Sequence, residues 1–214
     1  MYQQFVNFLE AQLKNPLPGF EAQKLMSPLN KKAIYDYSTE LKSAKEAATM
    51  LLFFPDENNI PNFVLTKRLE YQGVHSGQIS LPGGKKEPTD INFEYAAIRE
   101  TNEEIGIDAN KIKVLGKLSE LYIPPSNFLV YPFLSVAFET PKFIPQENEV
   151  FKIIEVPYFL LNDMELRKEK KVQLSGSNLF VNAPYFDFFG HEVWGATAMM
   201  LSETAEILRG FEMR

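Results

Sequence analysis

The stretch that most restricts this chain lies mid-sequence. Leu81-Pro-Gly-Gly-Lys-Lys-Glu-Pro-Thr-Asp90 leads into a helical pattern over Asn92 to Glu104, which Gly106 stops. Phe93, Ala96, Ala97 and Ile98 supply the apolar side of that helix. Residues three and four apart share a helix face, so Glu100, Glu103 and Glu104 project together. Like charges at this spacing repel, and a helix needed only for packing gains nothing from them. A solvated acidic face is one reading of three glutamates alone. The other is a set of hard oxygen ligands suited to Mg²⁺ or Mn²⁺, which bind through a few carboxylates, waters and substrate phosphate. The flanks favour the second. Gly83-Gly84 allows close backbone approach to a metal or phosphate, and Gly106 suits a left-handed helix end. At ordinary residue frequencies Arg99-Glu-x-x-Glu-Glu-x-Gly106 arises by chance at roughly one in 10⁶ per position. Over a chain of this length that is on the order of one in 10⁴.

Around this centre the pattern alternates between helix and strand. Phe5, Leu9 and Leu13 have helical spacing, ended by Pro16 to Pro18, and a second helix is expected within Asn30 to Ala44. The runs 49–54 and 62–68 flank an Asn- and Asp-containing loop, which predicts a hairpin. Further strands are expected at 113–123, 128–138, 151–156, 171–174 and 179–180, and a closing helix at Ala196 to Leu208. Strands of this kind with a few helices make a layered α/β or α+β domain. With 214 residues the chain can bury a sizeable core.

Bulk properties remove several classes of function. A net charge of −6 argues against a general nucleic-acid coat, which needs a basic face. No run approaches the roughly 20 apolar residues of a membrane span. The first 16 residues lack a basic start and a small-residue cleavage site, and Phe211-Glu-Met-Arg214 is not a Ser-Lys-Leu type address. Zero cysteines leave no disulfide, thiolate metal site or cysteine nucleophile. The expectation is a cytoplasmic protein with no nucleic-acid or membrane partner. The sequence allows a homodimer without specifying one.

Gly84, Asp90 and Arg99-Glu-x-x-Glu-Glu-x-Gly106 resemble the Nudix box, G-x5-E-x7-R-E-U-x-E-E-x-G-U with U aliphatic. Three departures are visible: Asp90 replaces the first glutamate, the gap to Arg99 is one residue longer, and Thr101 takes an aliphatic position. The first two are similar to the Nudix branch that hydrolyses coenzyme A. Leu65-Thr-Lys-Arg68 with Gly73-Val-His-Ser-Gly-Gln-Ile-Ser-Leu-Pro-Gly-Gly84 resembles the signature of that branch. Pro18-Gly19, Ala22-Gln23, Met26-x-Pro28 and Trp194-Gly-Ala-Thr-Ala198 resemble flanking segments of its members. The resemblance implies an α/β fold, a Nudix-type α/β/α sandwich with a mixed sheet, over residues 46–214. Residues 1–45 would form an N-terminal helical extension. It also implies metal-dependent hydrolysis of a diphosphate bond, with coenzyme A giving 4′-phosphopantetheine and adenosine 3′,5′-bisphosphate.

Roles follow as expectations. Glu100 and Glu104 are metal ligands, Glu103 is a ligand or the base that orients water, and Gly84 offers a backbone carbonyl. Arg99 braces the loop by pairing with Asp90 more readily than it touches substrate. Glu149, ahead of a strand, is either an extra carboxylate ligand or a solvated charge. Arg68 is the best candidate for phosphate, ahead of Lys67, Lys85 and Lys86, with Gly83 lining the substrate. His75, Gln78 and Ser80 are substrate-binding candidates whose plainer reading is structural. Tyr122, Phe128, Tyr131 and Phe133 fit core packing before adenine stacking, and His191 and Trp194 packing around the last helix. Two alternatives stand beside a coenzyme A diphosphatase: a Nudix hydrolase of ADP-ribose or another nucleoside diphosphate derivative, and a nucleotide-sensing module without catalysis.

Overall fold

The computed structural model describes residues 1–28, 40–69, 77–173 and 180–212. Helix α1 (Tyr2–Gln12) buries Tyr2, Phe5, Val6 and Leu9, a one-sided stripe at helical spacing. The short helix α2 (Phe20–Gln23) follows. The second helix expected within Asn30 to Ala44 is a single 3-10 turn, Glu40–Ser43, in its described part. Strand β1 (Lys45–Pro55) begins directly after it.

Strands β1, β2 (Pro61–Arg68), β3 (Ile79–Ser80) and β4 (Gly83–Lys85) precede helix α3 (Phe93–Ile105). After α3 come β5 (Lys113–Lys117), β6 (Leu121–Ile123), β7 (Phe128–Val136) and β8 (Val150–Pro157), all in the same mixed sheet. The run expected as one strand over 113–123 is therefore two, with the register slipping between Val114 and Gly116. Strand β1 lies at the centre. It pairs parallel with β7 from Lys45↔Phe128 to Phe53↔Val136 and antiparallel with β2 and β4. Its uninterrupted apolar run Met50-Leu-Leu-Phe-Phe54 follows from burial on both faces. Met50, Leu52 and Phe54 pack with Ala96 and Ala97 of α3, while Leu51 and Phe53 face the opposite layer.

That opposite layer holds α1, the antiparallel strands β9 (Arg167–Gln173), β10 (Phe180–Phe188) and β11 (His191–Trp194), and helix α4 (Gly195–Ile207). Strand β9 starts four residues before the expected 171–174. Phe5, Phe53, Phe63, Phe186, Phe188 and Leu201, all with no exposed surface, share this core. The result is a sandwich: α3 on one face of the mixed sheet, helices and a small second sheet on the other. Within it, Glu203 of α4 is fully buried. Its carboxylate accepts hydrogen bonds from Gly19 N (3.1 Å), Gln23 Nε2 (2.9 Å), and Ser119 N and Oγ (2.7 Å to the hydroxyl). The segment after α1 is thereby fastened to α4 and to the turn between β5 and β6. Among the described residues no helix is long and apolar enough to cross a membrane.

Candidate active site

Helix α3 is started by Asn92, whose side chain accepts from Tyr95 N at 2.7 Å, and stopped by Gly106 at φ 72°. Thr101, at the usual aliphatic position, is fully buried and spends its hydroxyl on Ala97 O at 2.6 Å within its own helix. A threonine so satisfied fills an apolar slot.

The loop before the helix is closed by Asp90. Its carboxylate accepts from Glu87 N at 2.7 Å and meets Arg99 in a two-pronged pair, Nε–Oδ1 and Nη2–Oδ2 both at 2.9 Å. The hydrogen bond from Arg99 holds this buried carboxyl below the ordinary carboxylate range. Arg99 Nη1 also reaches Glu100 Oε1 and Glu103 Oε2, each at 2.9 Å, and Nη2 donates to the Lys85 carbonyl at 3.3 Å. One guanidinium thus ties the loop to two of the three glutamates.

Glu104 is almost fully buried, with 3% of its surface exposed. Arg68, at the end of β2, reaches Glu104 Oε1 at 3.2 Å and the Gly83 carbonyl at 3.5 Å. Glu104 Oε2 is buried with no hydrogen-bond partner. Burial, with the charges of Glu100 and Glu149 adding to it, pushes this carboxyl up to about 7 against the opposing pull of Arg68 and the Gly83 backbone. Glu100 is also raised, first by burial, with Arg99 opposing and Glu103 and Glu149 reinforcing. Glu103 keeps about half of its side chain in solvent (54%).

Glu149 is exposed, yet both Glu100 and Glu104 feel its charge. Its place is fixed by a loop stitched to the end of α3: Ile144 N donates to Ile105 O (2.9 Å) and Gln146 N to Glu104 O (3.0 Å). The sequence pattern carries no signal for that stitching. The fit to Gly106 does leave one trace, because a Cβ there would lie 2.8 Å from Ile144 Cβ. Gly84 is constrained by the site itself, since a Cβ would stand 2.4 to 2.5 Å from the Glu100 carboxyl. Gly83 is buried against β1, where a Cβ would meet Ala48 O at 2.4 Å.

The remaining candidates divide. The Lys85 side chain is exposed, and only its carbonyl joins the network. The backbone carbonyl of Gln78 accepts from Arg68 N at 3.0 Å, and the Ser80 hydroxyl lies 3.2 Å from that of Thr66. His75 falls outside the described residues. Phe133 is core, and Tyr131 stacks on Phe93 at 3.8 Å. Tyr122 donates to Asn127, and Phe128 lies under Lys45. His191 is not packed around the last helix. The β10–β11 turn at Phe189-Gly190 carries it onto the sheet edge, with Nε2 3.2 Å from Lys152 Nζ. Trp194 is the residue from which α4 starts, with Lys170 Nζ 5.0 Å from its ring.

Chemically, the arrangement offers a divalent cation a matching donor set. Among the described residues no three acidic or histidine side chains already form a closed metal-binding group; Arg99 and Arg68 hold the glutamates instead. The unpartnered Glu104 Oε2, with Glu100 nearby and Gly84 against it, is the donor chemistry such a cation requires.

The NUDIX domain family model matches residues 44–177. The chain is 30% identical over 169 residues to Nudix hydrolase 15, mitochondrial, of Arabidopsis thaliana, covering 76% of this chain and 58% of that protein. It therefore spans little more than half the length of that relative. It is also 30% identical over 146 residues to an uncharacterized Nudix hydrolase, NudL, of Yersinia enterocolitica, covering 68% and 73% of the two chains. Among solved structures, a MutT protein from Methanosarcina mazei Go1 is similar at a TM-score of 0.48 and 16% identity, over 78% of this chain and 98% of that one. With the family match across most of its length and a 30% identical relative covered by more than two thirds, this chain belongs to the Nudix hydrolase superfamily.

Proposed function

We propose that the protein hydrolyses the diphosphate bond of coenzyme A or a coenzyme A derivative, releasing 4′-phosphopantetheine, or its acyl form, and adenosine 3′,5′-bisphosphate. The observation that carries the chemistry is the Glu104 carboxylate, buried with one oxygen unpartnered beside two other acids. A group so placed is costly unless a cation completes it. Glu100 and Glu104, with the Gly84 carbonyl and Glu149, are the residues that would hold Mg²⁺ or Mn²⁺. Such ions, when bound, offset the diphosphate charge and lower the pKa of a coordinated water.

The chain's own groups then have separable tasks. Arg99, anchored by Asp90, fixes the loop carrying Gly84 and Lys85 against the glutamate face. Arg68 orients Glu104, and in this reading its guanidinium also meets substrate phosphate. Glu103, half in solvent and held by Arg99 through Oε2, would accept a proton from an attacking water or complete the ligand set. The unit doing this is taken as residues 46–214, with 1–45 as an extension whose helix α1 packs Phe5, Val6 and Leu9 on the core. The choice of coenzyme A rests on the resemblance carried by Asp90, the longer gap to Arg99, and the signature over Leu65 to Arg68 and Gly73 to Gly84.

The test is product analysis by mass spectrometry after incubation with coenzyme A and, separately, ADP-ribose, in Mg²⁺, Mn²⁺ or EDTA. Metal-dependent 4′-phosphopantetheine and adenosine 3′,5′-bisphosphate, formed faster than ADP-ribose is lost, is the expected result. Loss of ADP-ribose with coenzyme A intact would overturn the substrate and keep the chemistry. Neither being consumed while a nucleotide stabilises the protein would point to a sensor.

A further inference from the structure

The alternation that buries Phe63 and Leu65 of β2 and Ile154 and Val156 of β8 puts Lys67 and Lys152 next in line on the same face. There Lys67 is half-buried and Lys152 is exposed. The two lysines are register partners, Lys67↔Lys152, so like charges stand directly opposite each other across antiparallel strands. Such a pair weakens a sheet. His191 of β11 adds a third nitrogen, 3.2 Å from Lys152 Nζ.

No carboxylate among the described residues pairs with Lys67 or Lys152. The acids nearby are committed: Asp187 to Lys168 at 2.6 Å and to Gly190 N at 2.9 Å, Glu192 to Lys170 at 2.8 Å. His191 is held less basic than usual by burial and then by the two lysine charges, with Asp187 opposing. In a chain of net charge −6, three nitrogen groups gathered without a counter-ion mark a place for an anion.

The same two strands join this cluster to the acidic centre. Arg68, one residue beyond Lys67 and so on the opposite face of β2, meets Glu104, and Glu149 lies three residues before Lys152, so the two sites connect around the end of these strands. Along an extended strand three residues cover about 10 Å, a distance that a nucleoside bridges.

We propose that Lys67, Lys152 and His191 form a subsite for a phosphomonoester, taking the second phosphate of a substrate whose diphosphate lies at the glutamates. This rests on the coenzyme A reading, in which the nucleotide half carries both groups. The test compares, by calorimetry in Mg²⁺, adenosine 3′,5′-bisphosphate with adenosine 5′-monophosphate, which lacks the extra phosphate and is likewise not turned over. Wild type binds the bisphosphate about tenfold more tightly, the worth of one charge-assisted hydrogen bond. Lys67→Ala/Lys152→Ala brings the ratio close to one, and Lys67→Arg/Lys152→Arg restores most of it, with unchanged Tm in both. Equal affinity in wild type, or full discrimination in the alanine pair, would overturn the subsite. Inorganic phosphate displacing the bisphosphate and binding as tightly would overturn its assignment to substrate. Coenzyme A cleavage is assayed on the same samples. Discrimination without cleavage leaves the subsite and removes the coenzyme A reading; cleavage without discrimination does the reverse.

Discussion

Replacing Glu104 by Gln probes the feature that sets this site apart, a buried carboxylate with an unpartnered oxygen. In the folded, metal-free protein its carboxyl is pushed from an ordinary 4.5 up to about 7. A group raised in this way binds its proton more tightly in the folded than in the unfolded chain. Its contribution to stability is therefore complete below about pH 4.5 and is lost as pH climbs through about 7. At 1.36 kcal/mol per pKa unit, the full change is roughly 3 kcal/mol. Glutamine occupies the same volume and does not titrate. The assay is urea unfolding in EDTA at pH 5 and pH 8.5 for wild type and Glu104→Gln. Acids that do not couple to Glu104 cancel when the two pH differences are subtracted, and wild type should lose roughly 3 kcal/mol more than the variant across that interval. Adding Mg²⁺ or Mn²⁺ at pH 8.5 should recover the loss in wild type and leave the variant almost unmoved. Equal pH dependence in the two proteins would refute the reasoning, because it would mean that Glu104 ionises in the fold without penalty.

Other perturbations separate bracing from chemistry. Asp90→Asn breaks a buried charged pair and should cost about 3–5 kcal/mol in denaturant unfolding. Because Asp90 is held below the usual range, the stability it supplies is present above the unfolded carboxylate pKa and fades as acid protonates the folded form. The wild-type advantage over Asp90→Asn should therefore shrink at low pH. Gly84→Ala places a methyl group on the Glu100 carboxyl and should lower metal-dependent turnover roughly 10- to 100-fold with little change in Tm. Glu203→Ala leaves buried donors from Gly19, Gln23 and Ser119 without their acceptor, for a loss on the order of 3 kcal/mol by denaturant titration.

Much of this could be read from the residues, for physical reasons that differ by element. Helix α3 was legible because cap, apolar side and stop residue are all local, and its ends match Asn92 and Gly106. The β1–β2 hairpin was legible from two apolar runs around a short polar turn. Local pattern failed where a contact is made by distant chain. Nothing near Glu149 announces that the loop ahead of it is hydrogen-bonded to the end of α3. The burial of Glu203 under the segment after α1 is equally silent, since a lone acid in a helix reads as surface. The split of 113–123 into two strands comes where Ser119 turns its backbone and hydroxyl to Glu203 of α4, a distant contact that periodicity does not encode. His191 was misplaced because its neighbour Trp194 begins the helix while His191 itself stays in the strand.

The most direct test of the account is a Mn²⁺ titration followed by electron paramagnetic resonance on wild type and Glu104→Gln, with coenzyme A cleavage measured on the same samples. The account predicts bound Mn²⁺ in wild type, affinity weakened roughly 10- to 100-fold or more in the variant, and cleavage that falls with it. Unaltered Mn²⁺ binding in Glu104→Gln, or diphosphate cleavage that persists in EDTA, would contradict it.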